Sequence, residues 1–102
     1  MPSRLMQMNS ATLVGRAQQD PEVRYYESGS VRATFILLVN HRNQQEPPDQ
    51  FPLEFWGKQA QVVADSVRKD TLIGIIGSIK RDEVGQTYVR VDRLEILGPA
   101  RS

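Results

Sequence analysis

The strongest constraint on the fold is a period of two in two neighbouring segments, VRATFILLVN at 31–40 and FPLEFW at 51–56. In each segment every second residue is apolar: Ala33, Phe35, Leu37 and Val39 in the first, and Phe51, Leu53 and Phe55 in the second. This period is typical of strands that bury one face. The sequence therefore predicts two strands whose apolar faces share a core.

Three further strands are predicted, at 9–19, at TLIGIIGSIKR (71–81) and at QTYVRVDRLEIL (86–97). The last two are joined by a short turn in which Gly85 can take a positive backbone angle. The stretch EVRYYESGS at 22–30 is interpreted as a connection that ends in a Ser/Gly turn, and HRNQQEPPDQ at 41–50 as a loop.

One helix is predicted over 59–69, because apolar residues there recur at spacings of three and four. Arg68 and Lys69 are expected in its last turn, where positive charge suits the helix dipole. The order of three strands, one helix and two strands predicts an all-β protein, a five-stranded OB-fold barrel with the helix between strands three and four. An SH3-like or other small barrel with an incidental helix is the alternative.

The chain of 102 residues is long enough for one domain. We expect an OB-fold domain at 9–98, preceded by a tail at 1–8 and followed by a frayed end at 99–102. Barrel closure removes exposed sheet edges, and glycines at 15, 57, 74 and 77 suit strands that must curve tightly.

Composition excludes several classes of function. The chain has no cysteine and one histidine, which excludes disulfides, thiol catalysis and histidine-rich metal sites, so no metal or cofactor is predicted. The acidic pair Asp82-Glu83 lies in a turn without a base or nucleophile, and no enzyme activity is expected. No apolar run could cross a membrane or act as a signal peptide, which predicts a cytoplasmic protein. The net charge of +1 decides nothing about a polyanionic partner.

Trp56 is the residue that most favours a binding function. If Phe51, Leu53 and Phe55 face the core, strand parity turns Trp56 outward, where a flat ring can stack on a nucleobase. A subunit contact, or a lid over one barrel end, is the alternative reading. Nearby basic residues could form a track for phosphates: Lys58, Arg68, Lys69, Lys80 and Arg81. Of the adjacent Tyr25 and Tyr26, we expect one ring in the core and one on the surface.

Two motifs carry a family resemblance. TLVGRAQQDPEVRYYESGSVRATFILLVN and FWGKQAQVVADSVRKD resemble the opening and the strand-to-helix segment of bacterial single-stranded DNA-binding proteins, from about Met8 to Leu97. The resemblance implies an OB fold and homo-oligomers, either dimers or tetramers. It also implies sequence-independent binding of single-stranded DNA in replication, recombination or repair, in a nucleoid-associated location, with RNA left open as a ligand.

Carried over by position, the resemblance makes Trp56 the stacking aromatic and matches Lys58, Lys69 and Lys80 to basic residues near the DNA path. Arg81 is a looser match. Tryptophans expected near Asn43, near Gln50 and in the hairpin RDEVG are missing, and Glu54 adds a negative charge to the face of Trp56. We therefore expect weaker binding, or a shorter site, than is usual in the family.

The chain ends at Ser102, where family members typically continue into a linker and an acidic tip that recruits replication proteins. That recruitment route is expected to be absent. A tail-less chain of this length also resembles primosomal replication protein N, a dimeric relative. The alternative function is accordingly an OB-fold interaction module that mainly contacts replication proteins and keeps residual single-strand affinity.

Overall fold

The computed structural model describes residues 7–100. It contains six strands and one helix: β1 (Ala11–Ala17), β2 (Glu22–Tyr25), β3 (Val31–Val39), β4 (Asp49–Trp56), α1 (Lys58–Ser66), β5 (Leu72–Arg81) and β6 (Thr87–Gly98). The predicted features at 1–6 and 101–102 lie outside the described residues. Within 7–100, no helix is both long and apolar enough to cross a membrane.

The sheet closes on itself. Its strand order is β1-β5-β6-β4-β3-β2, and an additional pairing of β1 with β3 completes a barrel of β1, β3, β4, β5 and β6. All the strand pairs are antiparallel except β4 with β6. The helix lies between β4 and β5 in the chain, so the OB-fold prediction is confirmed.

The connection predicted at 22–30 is wrong in part, because its first residues form β2. This strand pairs only with β3, from Glu22 opposite Thr34 to Tyr25 opposite Val31. Four strands therefore precede the helix, where three were predicted. The strand is only 4 residues long and has no fully buried residue, so the alternation of Val23 and Tyr25 with charged residues is too short to identify it, and its hydrogen bonds to β3 define it.

The helix is shorter than predicted at its C-terminal end. It ends at Ser66, Val67 is extended, and its last turn contains no basic residue. Val67 is nevertheless fully buried, and its N–H donates to the Val63 carbonyl at 2.9 Å, so the apolar spacing of three and four continues one residue past the last helical residue. Arg68 and Lys69 lie beyond the helix, in the turn that leads to β5.

The core fills the barrel and the space under α1. Phe35 of β3 and Phe55 of β4 stack inside it, with ring centroids 5.3 Å apart. The other buried apolar residues come from every element except β2, and from Val67 just after α1: Ala17, Ala33, Leu37, Leu53, Ala60, Val63, Val67, Ile73, Ile75, Val89 and Val91. The inward faces predicted for 31–40 and 51–56 are thus confirmed, with Val39 and Phe51 partly buried at the edge.

Gly77 lies where the backbone of β5 comes close to that of its paired strand β6. The β5–β6 register shifts between Ile76 and Gly77, and a Cβ added at Gly77 would lie 2.2 Å from the carbonyl oxygen of Arg90. We expect Gly77→Ala to lower the free energy of unfolding by about 1 to 3 kcal/mol, as is typical of overpacking. Urea denaturation measures this, with Gly98→Ala as control, because the same Cβ there would come no closer than 3.7 Å to Leu72. Equal stability of the two variants would contradict the prediction.

Candidate nucleic-acid interface

The outward faces of β2, β3, β4 and β6 form one continuous curved surface, which we call the outer face. Residues paired across strands share a side of the sheet, so the register fixes its rows. One row runs across Arg24, Arg32 and Trp56. The next row runs across Glu22, Thr34, Glu54 and Arg90. The outer face therefore combines arginines with the only tryptophan.

Trp56 projects from the outer face, as strand parity predicts, whereas its neighbour Phe55 is fully buried. The indole is 39% exposed, and Tyr26 stacks on it with centroids 5.7 Å apart and planes at 25°. The expectation that one of the two tyrosines enters the core is wrong, since Tyr25 is 65% exposed and Tyr26 is half-buried against Trp56. The aromatic platform on which a nucleobase could stack is therefore a pair of rings, Tyr26 and Trp56.

Backbone contacts hold both rings in place. The Tyr26 N–H donates to the Ser30 carbonyl, and the Tyr26 carbonyl accepts from Gly29, both at 2.9 Å. After Trp56 the chain turns at Gly57, whose φ of 64° favours glycine and whose N–H donates to the Val31 carbonyl. Each ring is thus attached to a fixed turn.

Two arginines lie against the ring pair. The guanidinium carbon of Arg24 is 5.9 Å from the centroid of Tyr26, and that of Arg32 is 5.9 Å from the centroid of Trp56. These distances are within the range of cation–π attraction. The pair therefore has two positive charges close to its rings, within reach of a phosphate next to a stacked base.

Glu54 lies under the outer face, between two arginines. Its Oε2 accepts from Nε of Arg32 at 2.9 Å, and its Oε1 accepts from Nε of Arg90 at 3.0 Å. Burial favours a raised pKa for Glu54, but the Trp56 indole and the two guanidiniums outweigh it, so the pKa lies below its ordinary value. The negative charge expected beside Trp56 is therefore present but neutralised, because two cations hold it.

A cleft of about 340 Å³ lies at the outer face, next to the turn between β5 and β6. Its lining includes Arg32, Glu54, Gln86 and Tyr88. This volume is at the lower end of the range for small-molecule pockets, about 300 to 1,000 Å³. Hydrogen-bonding side chains and an aromatic ring thus surround a space large enough for one planar ring.

The two basic residues predicted on the β5–β6 hairpin, Lys80 and Arg81, point to opposite sides of it. Lys80 pairs with Tyr88, two residues from Arg90 on the same side of β6, so the end of β5 at Lys80 extends the outer face. Arg81 pairs with Thr87 and projects to the other side of the ribbon. The turn between β5 and β6 places Gly85 at φ 86°, which confirms the predicted positive angle.

The remaining predicted residues, Lys58, Arg68 and Lys69, lie at opposite ends of α1. Lys58 is exposed at the first position of α1, next to the turn after Trp56. Arg68 and Lys69 follow the opposite end, and the helix between is about 12 Å long at 1.5 Å per residue. Arg68 donates through Nη1 to the carbonyls of Ala64 and Val67 at 3.0 and 2.7 Å, so part of its guanidinium is used in closing the helix.

Sequence reasoning missed five residues of this surface: Arg24, Tyr26, Arg32, Tyr88 and Arg90. A signal for Arg32 and Arg90 was present, since each stands at an outward position between inward apolar residues of a strand. Their meeting at Glu54 depends on the parallel register of β4 and β6, which no local pattern contains.

A second exposed surface is apolar and lies on the sheet of β1, β5 and β6. Val14, Ile76 and Leu97 are 53%, 42% and 46% exposed there. Arg93 pairs with Ile76, and Glu95 lies across from Val14 through Gly74. We call this the apolar sheet face.

Comparison with known proteins assigns the family. Residues 8–97 match the model of the single-strand binding protein family. The chain belongs to this family. The match confirms the resemblance predicted from about Met8 to Leu97, and it includes every residue of the outer face.

Several relatives are similar over most of their length. The chain is 46% identical over 107 residues to single-stranded DNA-binding protein 1 of Synechocystis sp., covering 94% of this chain and 88% of that protein. It is 53% identical over 88 residues to a single-stranded DNA-binding protein of Thermosynechococcus vestitus, covering 86% and 73%. With single-stranded DNA-binding protein 1 of Nostoc sp. the identity is 44%, over 91% and 86%. This single-strand binding family member thus spans most of each relative.

Proposed function

We propose that this protein binds single-stranded DNA without sequence preference, as a non-catalytic partner in replication, recombination or repair. The observation that carries the proposal is the Tyr26–Trp56 ring pair beside Arg32 on the outer face. Aromatic rings stack on any base, while arginines neutralise the adjoining phosphates. A cytoplasmic, nucleoid-associated location belongs to the same proposal.

In this arrangement one base stacks on the ring pair, and the strand continues along the outer face. Lys58 lies at one side of the pair, and Lys80 and Arg90 lie at the other. A neighbouring base enters the cleft near Tyr88. Arg81, Arg68 and Lys69 stay candidate contacts, although they face other directions, and the missing tryptophans keep the expected site short.

Titration with oligo-dT at low salt tests the proposal directly, because Trp56 is the only tryptophan and reports on the site alone. We expect quenching of its fluorescence that saturates with DNA and weakens as salt is added. Oligo-rU in a parallel titration measures any RNA binding. Absence of both quenching and an anisotropy change of labelled oligo-dT would contradict the proposal.

Lys58 and Lys69 form a matched pair for testing the phosphate path. Lys58→Ala should flatten the plot of log affinity against log salt by about 0.7, the contribution of one single-strand phosphate. Lys69→Ala should change this slope much less, because Lys69 lies beyond the far end of α1. Fluorescence anisotropy at several salt concentrations measures both variants. A larger change for Lys69→Ala would place the strand along the helix instead.

We further propose that the protein is a homo-oligomer, a dimer or a tetramer, assembled through the apolar sheet face. An exposed apolar patch of this kind is typical of a protein interface. Arg93 and Glu95 flank the patch, so two copies related by a two-fold axis can pair opposite charges. Light scattering of the protein and of Ile76→Glu compares the masses; a monomer in both would contradict this part of the proposal.

The interaction-module alternative is not favoured. The negative charge that Glu54 adds to the face of Trp56, one of the reasons to expect weaker DNA binding, does not stand alone. With Arg32 and Arg90 both bonded to Glu54, the cluster carries net positive charge.

A further inference from the structure

We propose that Glu54 is a positioning residue that serves as a fixed internal counterion for Arg32 and Arg90. The three side chains then present one net positive charge to the DNA in a set geometry. This inference rests on the proposed function and adds which residue controls the salt dependence of DNA binding at the outer face.

The first support is geometric. Each carboxylate oxygen of Glu54 accepts one hydrogen bond from one arginine, and both bonds are 3.0 Å or shorter. The Glu54 side chain is 7% exposed, while those of Arg32 and Arg90 are 36% and 46% exposed. The carboxylate therefore lies beneath the two guanidiniums, which separate it from solvent and from any bound strand.

The second support is the atom that each arginine uses. Both contacts run through Nε, and a guanidinium has five N–H donors in a planar fork. The terminal amino groups of Arg32 and Arg90 thus remain as donors toward a phosphate. Because Nε is held, the planes of the two forks are fixed before the phosphate arrives.

The charge count follows from these contacts. Two guanidiniums bonded to one carboxylate have a net charge of +1, so together they neutralise one phosphate. Each neutralised single-strand phosphate contributes about 0.7 to the slope of log affinity against log salt. The slope of log affinity against log salt should accordingly be shallower than the value expected if every basic residue on the outer face neutralised one phosphate.

Glu54→Gln tests the inference, because it removes the charge and keeps the size of the side chain. We expect its salt slope for oligo-dT to be steeper by about 0.7 than that of the unchanged protein. Between about 50 and about 500 mM salt, the ratio of the two dissociation constants should then change about fivefold. A packing defect alone would weaken binding equally at both salt concentrations.

Two controls separate charge from position. Glu54→Asp keeps the charge on a shorter side chain and should retain the original slope, even where its affinity is lower. Asp65→Asn removes one exposed carboxylate from α1, where its recorded contact is with Gln61, and should also retain the slope.

The outcomes are distinct. A Glu54→Gln slope equal to that of the unchanged protein overturns this inference alone, and so does an equal steepening in Asp65→Asn. Failure of the unchanged protein to bind oligo-dT at low salt overturns the proposed function and this inference with it.

Discussion

Replacing Trp56 by alanine is expected to weaken oligo-dT binding by a factor of about 5 to 150, because one lost stacked base costs about 1 to 3 kcal/mol. The ring is exposed on the outer face, and its partner Tyr26 has no other stacked ring recorded in residues 7–100. The variant removes half of the platform. Anisotropy of labelled oligo-dT measures the loss, since the tryptophan signal itself is removed.

Tyr25→Ala is the matched control for Trp56→Ala. Tyr25 is also an exposed aromatic residue of the same region, but within residues 7–100 it has no recorded ring contact with Trp56 or Tyr26. Its removal should leave oligo-dT affinity within about twofold, a change below 0.5 kcal/mol. Affinity of Trp56→Ala equal to that of Tyr25→Ala would mean that DNA does not stack on this ring.

Replacing Phe55 by alanine is expected to lower the free energy of unfolding by about 3 to 5 kcal/mol, the usual cost of removing a buried phenylalanine. Phe55 is fully buried and stacks on Phe35 at the centre of the barrel. The surrounding strands are closed into a barrel, which limits their collapse into the cavity. Urea denaturation monitored by circular dichroism measures the change.

Phe51→Ala provides the comparison, since Phe51 lies on the same side of β4 but only partly inside the core. It should lose less stability than Phe55→Ala. A loss below about 1 kcal/mol in Phe55→Ala would show that this part of the barrel is not tightly packed. Comparison of Phe55→Ala with Trp56→Ala separates two roles on adjacent residues: Phe55 stabilises the fold, and Trp56 is proposed to bind DNA.

Strand parity is the part of the fold and site that the sequence predicts well. Alternation over 51–56 is local, and burial of one face enforces it, so the outward direction of Trp56 follows without knowledge of any other strand. The same argument predicts the inward residues Phe35 and Leu37, which are buried. The predicted order of strands and helix favours closure into an OB-fold barrel, and the pairing of β1 with β3 completes it.

The remainder of the site depends on register, which the sequence does not specify locally. Tyr26 reaches Trp56 because β2 pairs with β3, and β2, with 4 residues, is too short for its alternation to be recognised. Arg90 reaches Glu54 because β4 and β6 pair in parallel across a long stretch of chain. The sequence therefore indicates the negative charge of Glu54 beside Trp56 but not the two arginines that neutralise it.

The turns at Gly57 and at Tyr26–Ser30 have a consequence for the thermodynamics of association. Both rings are attached to backbone that is already hydrogen-bonded in the free protein. A ligand therefore loses little affinity to ordering of the protein, and conformational entropy is lost mainly by the flexible nucleic acid. An oligonucleotide restrained in its bound conformation should consequently gain more affinity than a protein variant with a more rigid loop.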